Sequence, residues 1–395
     1  MKDVTIRRMS MEEILDILHA LTSYAFYPSP PLRDKEDRGA ILQHRKGATY
    51  LGAFEDGRGV ATAVNSPMTQ QVRGNLYGAG AVWGVVTDPT ARRQGYCRRL
   101  MARLLSLDRD EGRPFSCLYP FRASFYERLG YVKFPLASWV TFDPAPLVPL
   151  LDQELDGTVE RLLIGDGYDD YRAYTKGLQR RTHGMAVFLS GEKERVQKEN
   201  GSWLALARVE GNVVGVMRYA LQGERVTRFI LRAYRFYYDN SQARTLLLRW
   251  IARHVDQANE ATLYLPPFEH PELWMDDIEV STASLPRSAM GRVVDIAGLG
   301  EMRTGPGRFA ARVSDPLCPW NEGLWEFETV DGHLRVGRAN SAECELRIQA
   351  LGALIYGTND PGDFVHRGWG NPSSSVQDTM RTMFPRRLPY LHELF

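Results

Sequence analysis

Twice along this chain the residue pattern runs hairpin, strand, helix, strand at similar spacing, and this repetition limits the possible folds more than any other feature. In the first pass, "ATYLGAFEDGRGVATAVNS" alternates about Asp56-Gly57, a dipeptide suited to a tight hairpin turn. The strand "GAVWGVVTDP" ends at Pro89, and a helix from about Ala91 to Asp110 follows with Tyr96, Leu100, Leu104 and Leu107 on one stripe. Gly112 stops it, and "PFSCLYP", "ASFYERLG" and "YVKFP" continue as strand, short helix and strand. In the second pass, "SWLALARVEGNVVGVMRYALQ" turns at Glu210-Gly211-Asn212 and "VTRFILRAYRFYYD" is a long strand. The helix "NSQARTLLLRWIARHVDQ" takes Asn240 or Ser241 as N-cap, and the strand "ATLYLPP" ends on proline. A helical stretch precedes each pass: Ser10 to Leu21, with Met11, Ile14, Leu15 and Leu18 on one face, and "YDDYRAYTKGLQRR". The pattern repeats without the identities, as in a duplicated domain.

The remainder is expected to form a small α+β domain. It has strands around "GLWEFETVDGHLRV" and "ECELRIQALGALIYG", then a helix containing "SSVQDTMRTMF". The expected fold class is therefore α/β with α+β mixed sheets, divided at 1–149, 150–285 and 286–395. A chain of 395 residues has room for that. The net charge of +1 argues against a nucleic-acid or polybasic membrane-surface protein. The charged N-terminal stretch is no signal peptide, and no apolar run approaches the roughly 20 residues of a membrane span. Cys97, Cys117, Cys318 and Cys344 are scattered without a C-x-x-C pair, which suits reduced thiols and a cytoplasmic protein. No histidine spacing points to a metal, so none is expected.

The stretch that carries chemistry is "VVTDPTARRQGYCRRLM". A glycine-containing turn before a helix aims unpaired N–H groups outward with the positive end of the helix dipole behind them, which suits a pyrophosphate. Arg92 and Arg93 add charge beside it, and residues 91–113 hold seven arginines against Asp108, Asp110 and Glu111. A solvated basic helix after an ordinary turn fits the same residues. The stretch is neither a dinucleotide fingerprint nor a P-loop, because G-x-G-x-x-G and G-K-[ST] are both absent.

Strand, [QR]-x-x-G-x-[GA], helix, strand and a tyrosine on a short helix resembles the GCN5-related N-acetyltransferases. Arg92 and Gly95 match that frame, and Cys97 departs from its usual small residue. The whole chain is similar to the narrower Eis-like (enhanced intracellular survival) acetyltransferases through "DPTARRQGYCRRLM", "FYERLGYV", "RVVD", "LIYG" and "MFPRRLPYLHELF". The resemblance implies two tandem acetyltransferase-type domains, a sterol-carrier-protein-like C-terminal domain and a homohexamer. It implies acetyl-CoA as cosubstrate in the first domain, with Val85, Val86 and Thr87 as a pairing edge for the pantetheine. Arg92, Arg93, Gln94, Gly95, Tyr96, Cys97 and Arg98 would surround the pyrophosphate, and Phe121 and Arg122 would add contacts. The second domain lacks the turn glycine in "YYDNSQARTLLL" and is expected to bind no CoA.

Amine acetylation requires a base for the amine, donors for the developing oxyanion and an acid for the thiolate. The resemblance assigns the acid to Tyr126 and the base to a C-terminal carboxylate, here that of Phe395. The residues alone favour a half-buried structural tyrosine and an aromatic end that closes the third domain's core; the resemblance reverses both readings. The acceptor pocket is expected from Tyr24, Phe26, Tyr27 and Trp83, whose rings suit cations, with Glu393 adding negative charge. The implied acceptors are amines of polycations: aminoglycoside-like molecules, polyamines or lysine side chains. An apolar-ligand carrier or a scaffold with a relic transferase domain is the alternative.

Overall fold

The computed structural model describes residues 3–32, 47–190, 193–225, 227–284 and 287–395. Residues 33–39 of the charged stretch after the first helix, residue 226 and residue 285 lie outside them. The chain forms two compact units. One comprises Met1–Pro135, Gln179–Gly191 and Arg287–Phe395; the other comprises Leu136–Leu178 and Glu192–Pro286.

The first unit is built on an eight-stranded sheet. Its path is β1 (Val4–Arg8), β2 (Thr49–Glu55), β3 (Arg58–Val72), β4 (Asn75–Thr87), β5 (Phe115–Leu118), β15 (Met290–Val293) and β6 (Val132–Lys133). The hairpin turns at Asp56-Gly57 as expected, with both residues at positive φ. A second turn at Arg73-Gly74 extends β3 directly into β4, so the strand after the hairpin is longer than its apolar core indicates. The strand β9 (Ala186–Phe188) pairs with β3 at Met68–Gln70, beyond the end of β2.

Helix α1 covers Met11–Glu13, Ile14–Leu18 and His19–Phe26 in one run, its middle wound as a π-helix. It starts in a capping box between Ser10 and Glu13 and continues one turn past the expected end at Leu21. Helix α2 (Tyr96–Asp110) buries Tyr96, Leu100 and Leu104 of the anticipated stripe, and Leu107 is partly buried. The residues just before it, Pro89–Ala91, form a 3₁₀ turn instead of its first turn. Helix α3 (Ala123–Glu127) ends before Gly130 at φ +92°.

Compactness does not follow the boundaries at 149 and 285. Residues 287–395 join the first unit, and residues 136–149 join the second. The physical reason is β15, which follows the second duplicate in sequence but lies between β5 and β6. The C-terminal part holds a four-stranded sheet in the order β18 (His333–Arg338), β17 (Gly323–Val330), β16 (Arg308–Ser314), β19 (Cys344–Arg347). Here one expectation is corrected. Only Cys344–Arg347 of "ECELRIQALGALIYG" is strand; Ile348–Tyr356 is a fully buried helix, α7. A helix apolar on every side has no period to separate it from a buried strand. Helix α9 (Ser374–Met383) is capped by Ser373. Phe309, Trp325, Phe327, Leu351, Leu354 and Met380 fill the space between this sheet and its helices.

The second unit repeats the grammar. Its sheet has the order β14 (Ser281–Ser284), β7 (Ser138–Phe142), β13 (Ala258–Leu265), β12 (Phe229–Tyr238), β11 (Asn212–Gln222), β10 (Trp203–Val209), β8 (Thr158–Leu163). The predicted hairpin turns at Glu210-Gly211, both at positive φ. Helices α4 (Tyr168–Gln179) and α6 (Ser241–Ala252) occur where expected, and Asn240 is the N-cap of α6. No helix among the described residues is long and apolar enough to cross a membrane.

Candidate active site

The site begins where two parallel strands part. β4 and β5 pair only from Ala79–Phe115 to Val82–Leu118. Beyond Val82, β4 stays bonded to β3 as far as Ala61–Thr87, with a bulge opposite Thr62–Val64 and Gly84 at φ +59°. Bulges of this kind bend a strand and re-aim it. Among the described residues the β5-facing edge of Trp83–Thr87 therefore has no strand partner, and its main-chain groups are available to an extended ligand. Val85, Val86 and Thr87 lie on that edge, and the Val86 side chain is buried, so its main chain is what it can offer.

Helix α2 starts just past this crevice. Arg93 at φ +63° and Gly95 at φ +82° reverse the chain. Gly95 is the N-cap and carries no capping side chain, so the first amides of α2 keep their donors. A Cβ at Gly95 would meet nothing within 4 Å. This is an open cradle with the helix dipole behind it, and it fits the diphosphate of acetyl-CoA. Arg92, Arg93, Gln94 and Arg98 are exposed around it. Tyr96 is turned away: its ring is buried and its hydroxyl donates to Glu55 at 2.6 Å, so only its amide faces the cradle. Cys97 is partly buried, and burial pushes its thiol up to about 12, which keeps it protonated and inert.

Tyr126 lies on α3, 4% exposed, within an aromatic cluster. Its ring is 5.8 Å from Phe121, 5.1 Å from Phe125 and 6.0 Å from Tyr131. Burial holds its phenol well above the ordinary range, and the neighbouring Cys97 acts in the same direction. Among the described residues its hydroxyl has no hydrogen-bond partner, so it is a neutral donor in reserve. Phe121 is 54% exposed, and Arg122 is the exposed N-cap of α3.

The chain's last residues come to the end of β5. Tyr119, one residue past the end of β5, packs on the Phe395 ring at 5.6 Å and donates from its hydroxyl to the Glu393 carbonyl at 3.2 Å. Phe188 meets Phe395 from β9 at 5.8 Å, and its N–H donates to the Glu393 carboxylate at 3.3 Å. Glu393 is thus anchored to β9. Trp83 stands on the crevice edge and donates from Nε1 to Ser66 Oγ at 2.9 Å, with Tyr50 edge-on at 6.0 Å. Tyr24 and Phe26 are more than half and half exposed at the end of α1, and Tyr27 is its C-cap.

Sequence reasoning missed the segment 179–191. It lies within the second duplicate in sequence, yet it supplies β9 and residues that tie down the C-terminal stretch. His183 accepts from the Arg73 N–H through Nδ1 at 3.2 Å, which leaves Nε2–H to donate to the Tyr356 carbonyl at 3.1 Å. The Tyr390 N–H in turn donates to the His183 carbonyl at 2.9 Å. The only local signal was "GMAVFL", a short apolar run after glycine.

Comparison with known proteins agrees with this architecture. Residues 5–134 match an acetyltransferase (GNAT) domain, and residues 294–392 match a sterol carrier protein domain. An uncharacterized N-acetyltransferase of Streptomyces avermitilis is 32% identical over 132 residues, which are 33% of this chain and 31% of that one. The match therefore spans about a third of that relative's length. Two solved structures align over the full length of both chains. A GCN5-related N-acetyltransferase from Anabaena variabilis has a TM-score of 0.82 at 18% identity, and Eis1 from Mycobacterium abscessus has 0.77 at 17%. At these identities the likeness is one of fold. The chain thus carries a GNAT acetyltransferase domain and a sterol-carrier-like domain.

Proposed function

We propose that this protein is an acetyl-CoA-dependent N-acetyltransferase acting on primary amines of polycationic acceptors. The observation that carries the reading is the crevice where β4 leaves β5, which opens onto the uncapped start of α2 beside an unbonded Tyr126 hydroxyl. Acetyl-CoA would supply the acetyl thioester. The edge Val85–Thr87 would pair with its pantetheine, and the amides after Gly95, with Arg92 and Arg93, would hold its diphosphate. Tyr126 donates its proton to the sulfur as the C–S bond breaks and the C–N bond forms. Its raised pKa keeps that proton in place until the thiolate develops.

The Phe395 carboxylate takes the proton lost by the amine, directly or through water. Tyr119, Phe188 and the anchored Glu393 hold the last residue at the end of β5, in support of that role. The exposed rings of Tyr24 and Phe26, with Trp83 on the crevice edge, suit an acceptor bearing several ammonium groups. An apolar-ligand carrier has less support, because the space under the C-terminal sheet is filled by the protein's own side chains.

The test is acetyl-CoA-dependent thiol release with polyamines, aminoglycosides and lysine peptides. Tyr126→Phe is expected to lower kcat by about a hundredfold with little change in the KM for acetyl-CoA, as for the loss of a general acid. One glycine added after Phe395 displaces the carboxylate and keeps every side chain; a loss of about tenfold or more is expected. An unchanged kcat in Tyr126→Phe would remove the tyrosine from the mechanism, and unchanged turnover in the extended chain would do the same for the carboxylate.

A further inference from the structure

The first turn of α2 leads to a second polar cavity. Arg98 projects from that turn, and its guanidinium donates to the Pro316 carbonyl at 3.2 Å. It thereby lines a cavity of about 360 Å³ whose walls are residues 127–130 after Tyr126, residues 314–317 and the start of α7. Arg128, Arg347 and Arg367 line the same space.

Two carboxylates are also in the wall, and both are committed. Asp315 is bound at 2.6 Å by Arg292, and both groups are buried. Glu127 is bound by Arg367 at 3.1 Å and by the Trp369 indole N–H at 3.2 Å. Among the described residues Arg98, Arg128 and Arg347 have no carboxylate partner. Helix α7 starts in this wall with Arg347 as N-cap and no capping side chain, so its positive end adds to theirs. Like charges gathered in one concavity repel and draw a counter-anion. Guanidinium forks suit phosphate oxygens better than they suit a carboxylate-poor solvent face.

Arg98 also identifies the anion. It sits three residues after Gly95, at the turn proposed to hold a diphosphate. A ligand fixed there that also fills this cavity would carry a further phosphate joined to the first two through a nucleoside. Coenzyme A has such a group on the ribose joined to its diphosphate. We infer that this arginine-lined cavity binds the 3′-phosphate of the cosubstrate, so that the sterol-carrier-like domain completes the acetyl-CoA site. The inference rests on the acetyl-CoA reading above.

The experiment is calorimetric titration of CoA and of 3′-dephospho-CoA into the full-length protein and into Arg347→Gln. Arg347 is exposed and has no carboxylate partner among the described residues, and the thermal unfolding of the variant checks that it folds. The native chain is expected to prefer CoA by at least about tenfold, the scale of one or two charge-assisted hydrogen bonds. Arg347→Gln should shrink that preference several-fold and leave 3′-dephospho-CoA binding unchanged. Millimolar inorganic phosphate should weaken the binding of CoA alone. Equal binding of the two cofactors by the native chain overturns the inference, and so does a full preference retained in Arg347→Gln. If binding is equal while inorganic phosphate raises the Tm through Arg347, the cavity takes a free anion instead. If neither cofactor binds, the acetyl-CoA reading itself fails and the inference falls with it.

Discussion

Asp108 is fully buried on α2, and its partners set a pH dependence that belongs to this one residue. Arg113 Nε and the Asn65 side-chain amide both donate to its Oδ1 at 2.6 Å. Among the described residues its Oδ2 and the Asn65 Oδ1 are buried without partners, and both face the bare side of Gly80. Burial outweighs Arg113 and pushes the Asp108 carboxyl up to about 7. Because the folded pKa is raised, the native state binds more protons than the unfolded chain between about pH 4 and 7. The stabilising contribution is therefore complete at low pH and is lost as pH rises through 7. Asp108→Asn keeps the shape without the titration. Its stability relative to the native chain should rise from pH 4 to 7, by on the order of a few kcal/mol, in urea unfolding at several pH values. A pH-independent difference would show that Asp108 is ionised throughout.

At the scale of the element, the two duplicates differ in how one helix begins. Gly95 leaves the start of α2 open. In the second unit Asn240 Oδ1 accepts from the Ala243 N–H at 2.9 Å, so α6 caps itself. β12 also outruns its parallel partner after Ala233, but Trp274 stacks on Phe236 at 5.5 Å on the unpaired stretch of that strand. The same topology thus gives an uncapped helix start in one unit and a self-capped one in the other. Gly95→Ala should lower stability by about 1 kcal/mol, because an L-residue is strained at φ +82°. It should also raise the Kd for acetyl-CoA about tenfold or more by placing a methyl group in the cradle, measured beside a thermal melt. Unchanged affinity would move the diphosphate elsewhere.

Within the first unit as a whole, buried polar links join segments far apart in sequence. Arg73 donates to the Ile355, Leu354 and Pro385 carbonyls at 2.6, 2.9 and 3.1 Å, which satisfies the end of α7 and the start of the C-terminal stretch. His183 joins that stretch through Tyr390, and burial lowers its pKa to about 3. Here the sign is opposite to that of Asp108. The unfolded chain binds the additional proton below the usual histidine value, so stability is present above pH 6.5 and is lost as pH falls toward 3. His183→Gln should flatten the acid side of the stability profile. If turnover depends on the placement of Phe395, acetyl transfer in the native chain should fall over the same range, before global unfolding. Acid stability that His183→Gln leaves unchanged would remove this residue from the coupling.

Signals confined to one turn or one face were legible without coordinates. They include the turns at Asp56-Gly57 and Glu210-Gly211, the stripe of α2, the Asn240 cap and the glycine that opens α2. Each depends on φ, on a period or on a side chain three residues away, and all of these are written locally. Helix α7 was not legible, because complete burial removes the period that would reveal it. Nor was the insertion of β15 between β5 and β6, the edge where β4 and β5 part, or the approach of Phe395 to Tyr119 through segment 179–191. Those are pairings between residues tens to hundreds of positions apart. The sequence by itself determined the local turns, the caps and the amphipathic helices, the uncapped start at Gly95 among them. Tertiary structure alone decided which strands meet and which charges share a cavity, because burial and pairing across that distance follow from the packing of the whole unit.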